Sequence, residues 1–161
     1  RFINQTSHPG HIIGRSGEGA TKLKYDIVNK MEKLKLPKTE DFKLEVVEIA
    51  NPEADAAIVA YMIAEGLEKR MPYRRVIKQV IEKVMAAQGV QGARIVLGGR
   101  LGGAEIARTE ELKRGSIPLQ TFRADIDFKR ERANLSYGVI GIKVWIYRGK
   151  IFAEKGNKQA K

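Results

Sequence analysis

Apolar residues recur at steps of three and four along much of the first half of the chain, which is the period of a helix with one face against a core. Asn51, followed by Pro52 and an acid, predicts the start of one such helix. The predicted helices span residues 9–13, 17–33, 53–68 and 73–88. In the second of them the apolar stripe consists of Ala20, Leu23, Ile27, Met31 and Leu34. Strands are predicted over residues 2–6 and 42–49, before and after the first two helices, and a polar break over 36–41 precedes the second strand.

From residue 93 onward the apolar period changes to two. A strand begins at Ile95, and residues 122–129 and 140–147 alternate between apolar and polar side chains. Such alternation predicts an antiparallel sheet with one buried face, and a further strand over 106–112 makes it four-stranded. We therefore expect an α+β fold in which two helices and this sheet form a two-layer α/β domain, with a domain boundary at residues 50 and 51.

The loop Gly14-Arg15-Ser16-Gly17 separates the first two predicted helices. Glycine at both ends allows a turn that a Cβ would obstruct and clears room for a sugar-phosphate backbone, while the next helix N-terminus offers unpaired N–H donors. The spacing fits neither the G-x-G-x-x-G fingerprint nor a Walker loop. It matches the G-x-x-G clamp of a KH module, which holds a few nucleotides of a single strand. A helix-capping turn would show the same two glycines, so the pattern alone leaves both interpretations open.

The chain carries a net charge of +11, from 30 Lys and Arg against 19 Asp and Glu, which favours a polyanionic partner. Arg74, Arg75 and Lys78 fall within about 100° of arc on one predicted helix. No acid joins them before Glu82. They are candidate phosphate contacts, and the alternative is a solvated charged face. No apolar stretch approaches membrane-spanning length, so nucleic acid is favoured over lipid as the partner.

Metal and cofactor chemistry has little support in the composition. The chain contains no cysteine, which excludes disulfides and thiolate ligands, and its two histidines, His8 and His11, flank a Pro-Gly turn. The glycine-rich segment 98–103 lacks the Lys-Ser/Thr of a phosphate loop and is typical of a bend where another backbone, including that of RNA, comes close. We predict neither a metal nor a cofactor.

Three strings resemble the small-subunit ribosomal protein S-three family in its bacterial and organellar form. They are GRLGGAEIARTE over 99–110, FRADID over 122–127 and YGVIGIKVWI over 137–146. The likeness reaches back to the G-x-x-G loop and covers residues 1–153. It implies a type II KH domain over 1–50, a C-terminal domain of two helices and a four-stranded antiparallel sheet over 51–153, and a basic tail over 154–161. The start at Arg1 predicts that the family's N-terminal segment, which begins the KH fold, is missing.

The resemblance also implies a function, as a structural constituent of the small ribosomal subunit head without enzyme activity. The helix carrying Arg74, Arg75 and Lys78 matches one that lines the channel through which messenger RNA enters and helps to unwind it. The implied partners are small-subunit ribosomal RNA, messenger RNA and head proteins of the S-ten and S-fourteen families, on a cytoplasmic or organellar ribosome and with no membrane. Ser16 stands where family members often carry a cation, which weakens the expected KH contact. The predicted RNA-binding residues are Gly14, Arg15, Ser16, Gly17, Lys22, Arg74, Arg75, Lys78, Arg100, Arg108, Lys113 and Arg114.

Two other functions stay open. A KH-type regulator of messenger RNA acting off the ribosome would share the G-x-x-G loop but would not need the three strings. A metal-dependent RNA-processing enzyme would use Asp125 and Asp127, which the strand period places on one face as a seat for a divalent ion. Arg123 and Lys129 lie on that same predicted face and are expected to pair with these carboxylates.

Overall fold

The computed structural model describes residues 2–35 and 43–151, which divide between Ala50 and Asn51 into an N-terminal and a C-terminal unit. The predicted polar break over 36–41, the start of the second strand at residue 42 and the basic tail over 154–161 lie outside the described residues. None of the described helices combines the length and the apolar composition needed to cross a membrane.

The N-terminal unit has the element order strand, helix, helix, strand. Its elements are β1 Phe2–Thr6, α1 Pro9–Ile13, α2 Glu18–Lys33 and β2 Leu44–Glu48. The two strands pair in parallel, with Asn4 opposite Val46. Parallel neighbours need a crossover connection, and the two helices supply it. The predicted elements of this unit are confirmed, with shifts of one or two residues at their ends.

The apolar stripe of α2 is only half-buried. Ala20, Leu23, Ile27 and Met31 have intermediate exposure, and among the described residues of this unit none is fully buried. The prediction that Leu34 joins the core is wrong: its side chain is 71% exposed. The reason is that α2 ends at Lys33, so Leu34 is the cap residue and has left the helical stripe.

The C-terminal unit has two layers, a pair of helices and one four-stranded antiparallel sheet with strand order β4-β3-β6-β5. Its elements are α3 Ala56–Glu68, α4 Tyr73–Ala86, β3 Gly92–Gly99, β4 Arg108–Gly115, β5 Ala124–Leu135 and β6 Gly138–Lys150. Helix α3 packs on β5 and β6, and α4 packs on β3 and β4. The predicted α+β class and four-stranded antiparallel sheet are confirmed.

The core lies between the helices and one face of this sheet. Ile63 and Ile81 of the helices are fully buried against Ile95, Ile142 and Ile146 of the central strands. Complete burial of one such side chain stabilises the fold by about 1.5–3 kcal/mol. The central strands therefore contribute most of the buried side chains of the sheet, whereas the edge strands β4 and β5 carry mainly charged side chains.

The start of α3 differs from its prediction. Residues 52–54 form a short 3-10 helix, the side chain of Asn51 makes no capping hydrogen bond, and α3 begins at Ala56. The cap is Asp55, whose Oδ1 accepts the N–H groups of Ala57 and Ile58 at 2.8 and 3.3 Å. Such a cap satisfies two of the amides that a helix N-terminus leaves unpaired. Helix α4 also ends earlier than predicted, at Ala86, because Ala87 is extended.

Strand β5 also departs from the prediction that its apolar positions face the core. Phe128 is 49% exposed, and the register pairs Asp127 and Lys129 with the buried Ile146 and Val144 on the helix side. Only from Ala133 onward does an apolar β5 residue close the core. The reason lies in α3, whose polar N-terminus sits beside this part of β5 and takes Asp127 as a partner.

Candidate nucleic-acid interface

The G-x-x-G loop adopts a backbone that explains its two glycines. Gly14, Ser16 and Gly17 have φ values of 69°, 53° and 80°, in the region that residues with a Cβ rarely occupy. The Gly14 N–H donates to the Gly10 carbonyl at 3.0 Å and ends α1. Arg15 and Ser16 are exposed and have no partner within the described residues. The loop therefore presents a cation and a hydroxyl to solvent on a fixed turn.

A third glycine, Gly19, also belongs to this site, although it is absent from the predicted RNA-binding residues. A Cβ at this position would lie 2.4 Å from the Ile12 carbonyl oxygen and 3.1 Å from that of Ile13. The first turn of α2 thus passes against the end of α1 with no room for a side chain. The sequence signal for this contact is the third glycine of the pattern G-x-x-G-x-G, which begins with Gly14.

The start of α2 lies at the end of this loop. Its N-cap, Gly17, has no side chain to pair with the first amides, and Lys22 is exposed without a partner in the described part of the chain. Unpaired amides and the helix dipole favour an anion at such an end, although the carboxylate of Glu18 shares the first turn. The arrangement can hold a phosphate between Arg15 and the helix start.

The predicted cations of α4 lie together on its exposed side, since Arg74, Arg75 and Lys78 are all exposed. Arg75 and Lys78 have no ion pair within the described residues. Arg74 is held in place: its Nε donates to the Tyr73 hydroxyl oxygen at 3.1 Å, and its Nη2 lies 3.8 Å from Glu110 Oε1. The hydrogen bond to Tyr73, and then the negative charge of Glu110, raise the pKa of Arg74. The arc therefore combines one oriented guanidinium with two exposed cations that have no ion pair within the described residues.

The predicted cations of β4 divide between the two faces of the sheet. By the pairing with β3, Arg108 and Arg114 share the helix side with Leu112, whereas Lys113 is on the opposite face beside Arg94. Arg114 lies 3.7 Å from Glu82 of α4, an exposed contact. Side chains alternate between the two faces of a strand, so Lys113 and Arg114 cannot share one face of the sheet.

Arg100 was predicted to bind RNA, but its guanidinium donates hydrogen bonds to two backbone carbonyl oxygens. Its Nε donates to the Ala104 carbonyl at 2.9 Å, and its Nη1 donates to the Tyr137 carbonyl at 3.1 Å. The side chain therefore joins the glycine-rich segment to the β5–β6 turn, and we expect it to contribute little to RNA binding. The backbone that comes close to this segment is that of β6, since a Cβ at Gly99 would lie 3.0 Å from the Val139 carbonyl oxygen.

The aspartates proposed as a metal seat are arranged differently from the expectation. A register shift between Asp125 and Ile126 interrupts the strand alternation that would place the two carboxylates on one face. Asp127 Oδ2 accepts the N–H of Ala56 at 2.9 Å and pairs with Arg148 Nη2 at 2.7 Å, so its partner is not Lys129 as predicted. Among residues 2–35 and 43–151, no group of three or more His, Asp or Glu side chains could hold a metal ion.

Comparison with known proteins identifies the family. The sequence model described as "Ribosomal protein S3, C-terminal domain" matches residues 63–146, which include the C-terminal part of α3, all of α4 and most of the sheet. The chain belongs to the ribosomal protein S3 family. Its membership agrees with the resemblance carried by the three strings of residues 99–146.

Curated S3 relatives are similar along nearly the whole chain. The small ribosomal subunit protein uS3c of Nephroselmis olivacea is 47% identical over 146 residues, which are 91% of this chain and 64% of the relative. The uS3 protein of Clostridium botulinum strain Okra is 47% identical over 152 residues, covering 94% of this chain and 65% of the relative. That of Maridesulfovibrio salexigens is 48% identical over 151 residues, covering 94% and 67%. The chain therefore spans about two thirds of the length of these relatives.

Proposed function

We propose that this chain is a structural constituent of the small ribosomal subunit head, where it binds ribosomal RNA and lines the channel through which messenger RNA enters. The relatives are named as small ribosomal subunit proteins, and the chain matches them over most of its own length. The observation that carries the channel assignment is the exposed arc of α4. Arg75 and Lys78 have no acidic partner in the described part of the chain, so their charges are available to phosphates.

The mechanism is electrostatic. Each cation placed on a phosphate of a single strand releases condensed counterions, which lowers the logarithm of the binding constant by about 0.7 per tenfold rise in salt. Lys and Arg contacts to phosphate position a strand and do not read its sequence. A cationic helix that binds single strands more closely than duplex favours transient opening of messenger structure at the channel mouth, and it needs no hydrolysis.

The N-terminal unit supports the same function as an RNA-binding module. Its βααβ order, its parallel strand pair and the loop Gly14–Gly17 between two helices agree with the core of a KH domain, which we assign to the type II class. We assign residues 51–153 to the S3 C-terminal domain, and head proteins of the S-ten and S-fourteen families to its surroundings. In this scheme Arg15 and the start of α2 hold ribosomal RNA, while α4 holds messenger RNA.

Removing the three cations of α4 tests this proposal. We expect the variant Arg74→Ala/Arg75→Ala/Lys78→Ala to bind single-stranded RNA about 50-fold more weakly at physiological salt, because each lost phosphate contact forfeits about fourfold in counterion release. The slope of log affinity against log salt should become shallower by about 2. Fluorescence anisotropy across a salt series measures both quantities.

A matched pair on the same helix controls for net charge. Lys83 is exposed like Lys78, but it lies about 140° from it around the helix. We expect Lys78→Ala to change the salt slope by about 0.7 and Lys83→Ala to leave it unchanged. Equal effects of the two substitutions would show that α4 is only a solvated charged face.

Sedimentation tests the ribosomal assignment separately. The chain is mixed with small subunits depleted of their own S3 protein and separated on a sucrose gradient. We expect it to travel with the subunits and to compete with a full-length S3 protein for them. Strong RNA binding without co-sedimentation would favour the KH-type regulator that acts off the ribosome.

A further inference from the structure

The sheet of the C-terminal unit has a second face, opposite the one that α3 and α4 cover. Strand pairing places Phe128, Trp145, Arg94 and Lys113 in one row across all four strands of this face. The next row consists of Arg130, Lys143, Val96 and Glu111, and the third of Arg132, Gly141, Gly98 and Thr109. These three rows are defined here as the open face.

The open face is accessible and strongly basic. Its exposed cations are Lys113, Arg130, Arg132 and Lys143, and the acid within its rows is Glu111. Glu111 is already used, because its Oε2 pairs with Arg94 Nη2 at 2.8 Å. The four exposed cations have no ion pair within the described residues. In the row next to Phe128 and Trp145, on the side away from Lys143, Tyr147 is buried, so the accessible part of the face ends before it.

The ring of Phe128, packed against that of Trp145, forms an aromatic platform at one side of these cations. The rings of Phe128 and Trp145 are 5.0 Å apart between centroids with their planes 35° apart, and the guanidinium of Arg94 lies 5.0 Å over the Trp145 ring. Phe128 stays half-exposed although it is a large apolar residue in a strand. An exposed aromatic ring on a sheet, beside cations, is the arrangement with which several RNA-binding folds stack bases and hold phosphates.

We infer that the open face binds single-stranded RNA, with a base stacked on the exposed ring of Phe128 beside Trp145 and the adjoining phosphates on Lys143, Arg130 and Lys113. Charge complementarity decides the occupant. A protein partner would place Lys143 and Lys113 inside an interface, where lysine is depleted, whereas a polyanion pairs with both. Stacking accepts any base, so we expect the site to be tolerant of sequence.

This site is separate from the proposed channel contact and shares with it only the kind of partner. The cations of α4 belong to the helical layer, and the open face is on the other side of the sheet. A single strand bound at one surface leaves the other unoccupied. Each surface can therefore be tested while the other is intact.

The fluorescence of Trp145 reports directly on this face, because it is the single tryptophan of the chain. We expect a short single-stranded oligoadenylate to quench its emission and an abasic phosphodiester of the same length to bind without quenching it. Phe128→Ala should weaken oligoadenylate binding about tenfold, since one stacked base contributes about 1–3 kcal/mol. Phe122→Ala removes a fully exposed phenylalanine outside the three rows and should change nothing.

A second variant keeps the test independent of folding. Lys143→Gln leaves the platform in place and should make the salt slope shallower by about 0.7. Equal quenching by the abasic strand, or unchanged affinity and slope in both variants, would overturn the inference. Saturating RNA binding that depends on α4 but leaves Trp145 emission unchanged would also overturn the inference. In that case the proposed function would stand, and the open face would be assigned to a protein partner. Quenching that survives in the triple α4 variant would support it.

Discussion

Replacing Asp127 with alanine is expected to destabilise the C-terminal unit by about 3 kcal/mol, from a lost helix-capping acceptor and a lost charged hydrogen bond. Asp127 Oδ2 is the acceptor for the Ala56 N–H at the start of α3. The same oxygen pairs with Arg148, which also donates to the Ala54 carbonyl through Nε and Nη2 at 3.0 and 2.7 Å. One carboxylate thus joins β5, β6 and the segment before α3.

Thermal unfolding followed by circular dichroism measures this effect. For a unit of this size the loss corresponds to a fall in Tm of about 15 °C. Asp125→Ala is the matched control, because Asp125 lies on the same strand without a partner among the described residues, and we expect its change to stay within about 0.5 kcal/mol. Asp127→Asn should lose about half as much as Asp127→Ala, since an amide oxygen still accepts the Ala56 N–H.

The same variants separate the structural role of Asp127 from catalysis. If the role of Asp127 is structural, Asp127→Asn should lower the Tm. Magnesium-dependent RNA cleavage by the purified chain that vanishes in Asp127→Asn at unchanged Tm would contradict this assignment and revive the RNA-processing enzyme.

Replacing Gly19 with alanine is expected to open the junction of α1 and α2. The new Cβ would stand 2.4 Å from the Ile12 carbonyl oxygen, a backbone atom that cannot rotate away. Overpacking of this kind costs about 1–3 kcal/mol, so we expect amide exchange over residues 9–33 to accelerate about 30-fold. The turn that sets the φ values of Gly14 and Gly17 would be lost with it, and RNA contacts of the loop should weaken together with the protection.

Hydrogen exchange with mass spectrometry measures both regions in one experiment. Gly10→Ala serves as the control, since a Cβ there meets nothing within 4 Å and alanine favours the helix by about 0.5–1 kcal/mol. Exchange over 9–33 should not accelerate in that variant. Peptides of the C-terminal unit should be unchanged in both. Equal acceleration by Gly10→Ala and Gly19→Ala would show that the close approach of the two helices is not needed.

Periodicity was a good guide wherever one pattern had one structural solution. The steps of three and four residues in α4 predict one buried face, and Val76, Ile77 and Val80 are buried there while Arg74, Arg75 and Lys78 are exposed. The central strands β3 and β6 also bury the predicted side chains. In these elements nearly every apolar residue on one face is needed for burial, so the local pattern determines the orientation.

The same reasoning failed on the edge strand β5 and at the start of α3. Alternation over residues 122–129 allows either set of side chains to face the helices. Hydrophobicity predicts that Phe128 does, but Phe128 lies on the opposite face of the sheet. The choice depends on α3, far away in the chain, whose first amide requires a carboxylate at Asp127. Likewise Gly19 looks like any helical glycine until α1 is brought against it. Long-range contacts decided these positions, and no local window contains them.

The sequence by itself determined the α+β class, the helical and strand segments, the excess of positive charge and the family, because composition and period are properties of neighbouring residues. Only the tertiary structure decided which cations share a surface. It set Lys113 beside Arg94 and away from Arg108, engaged Arg100 with two carbonyls, and placed Phe128 next to Trp145 on the open face. The physical reason is that strand register and helix packing join residues distant in the chain, and the position of a charge relative to a phosphate depends on those joined surfaces.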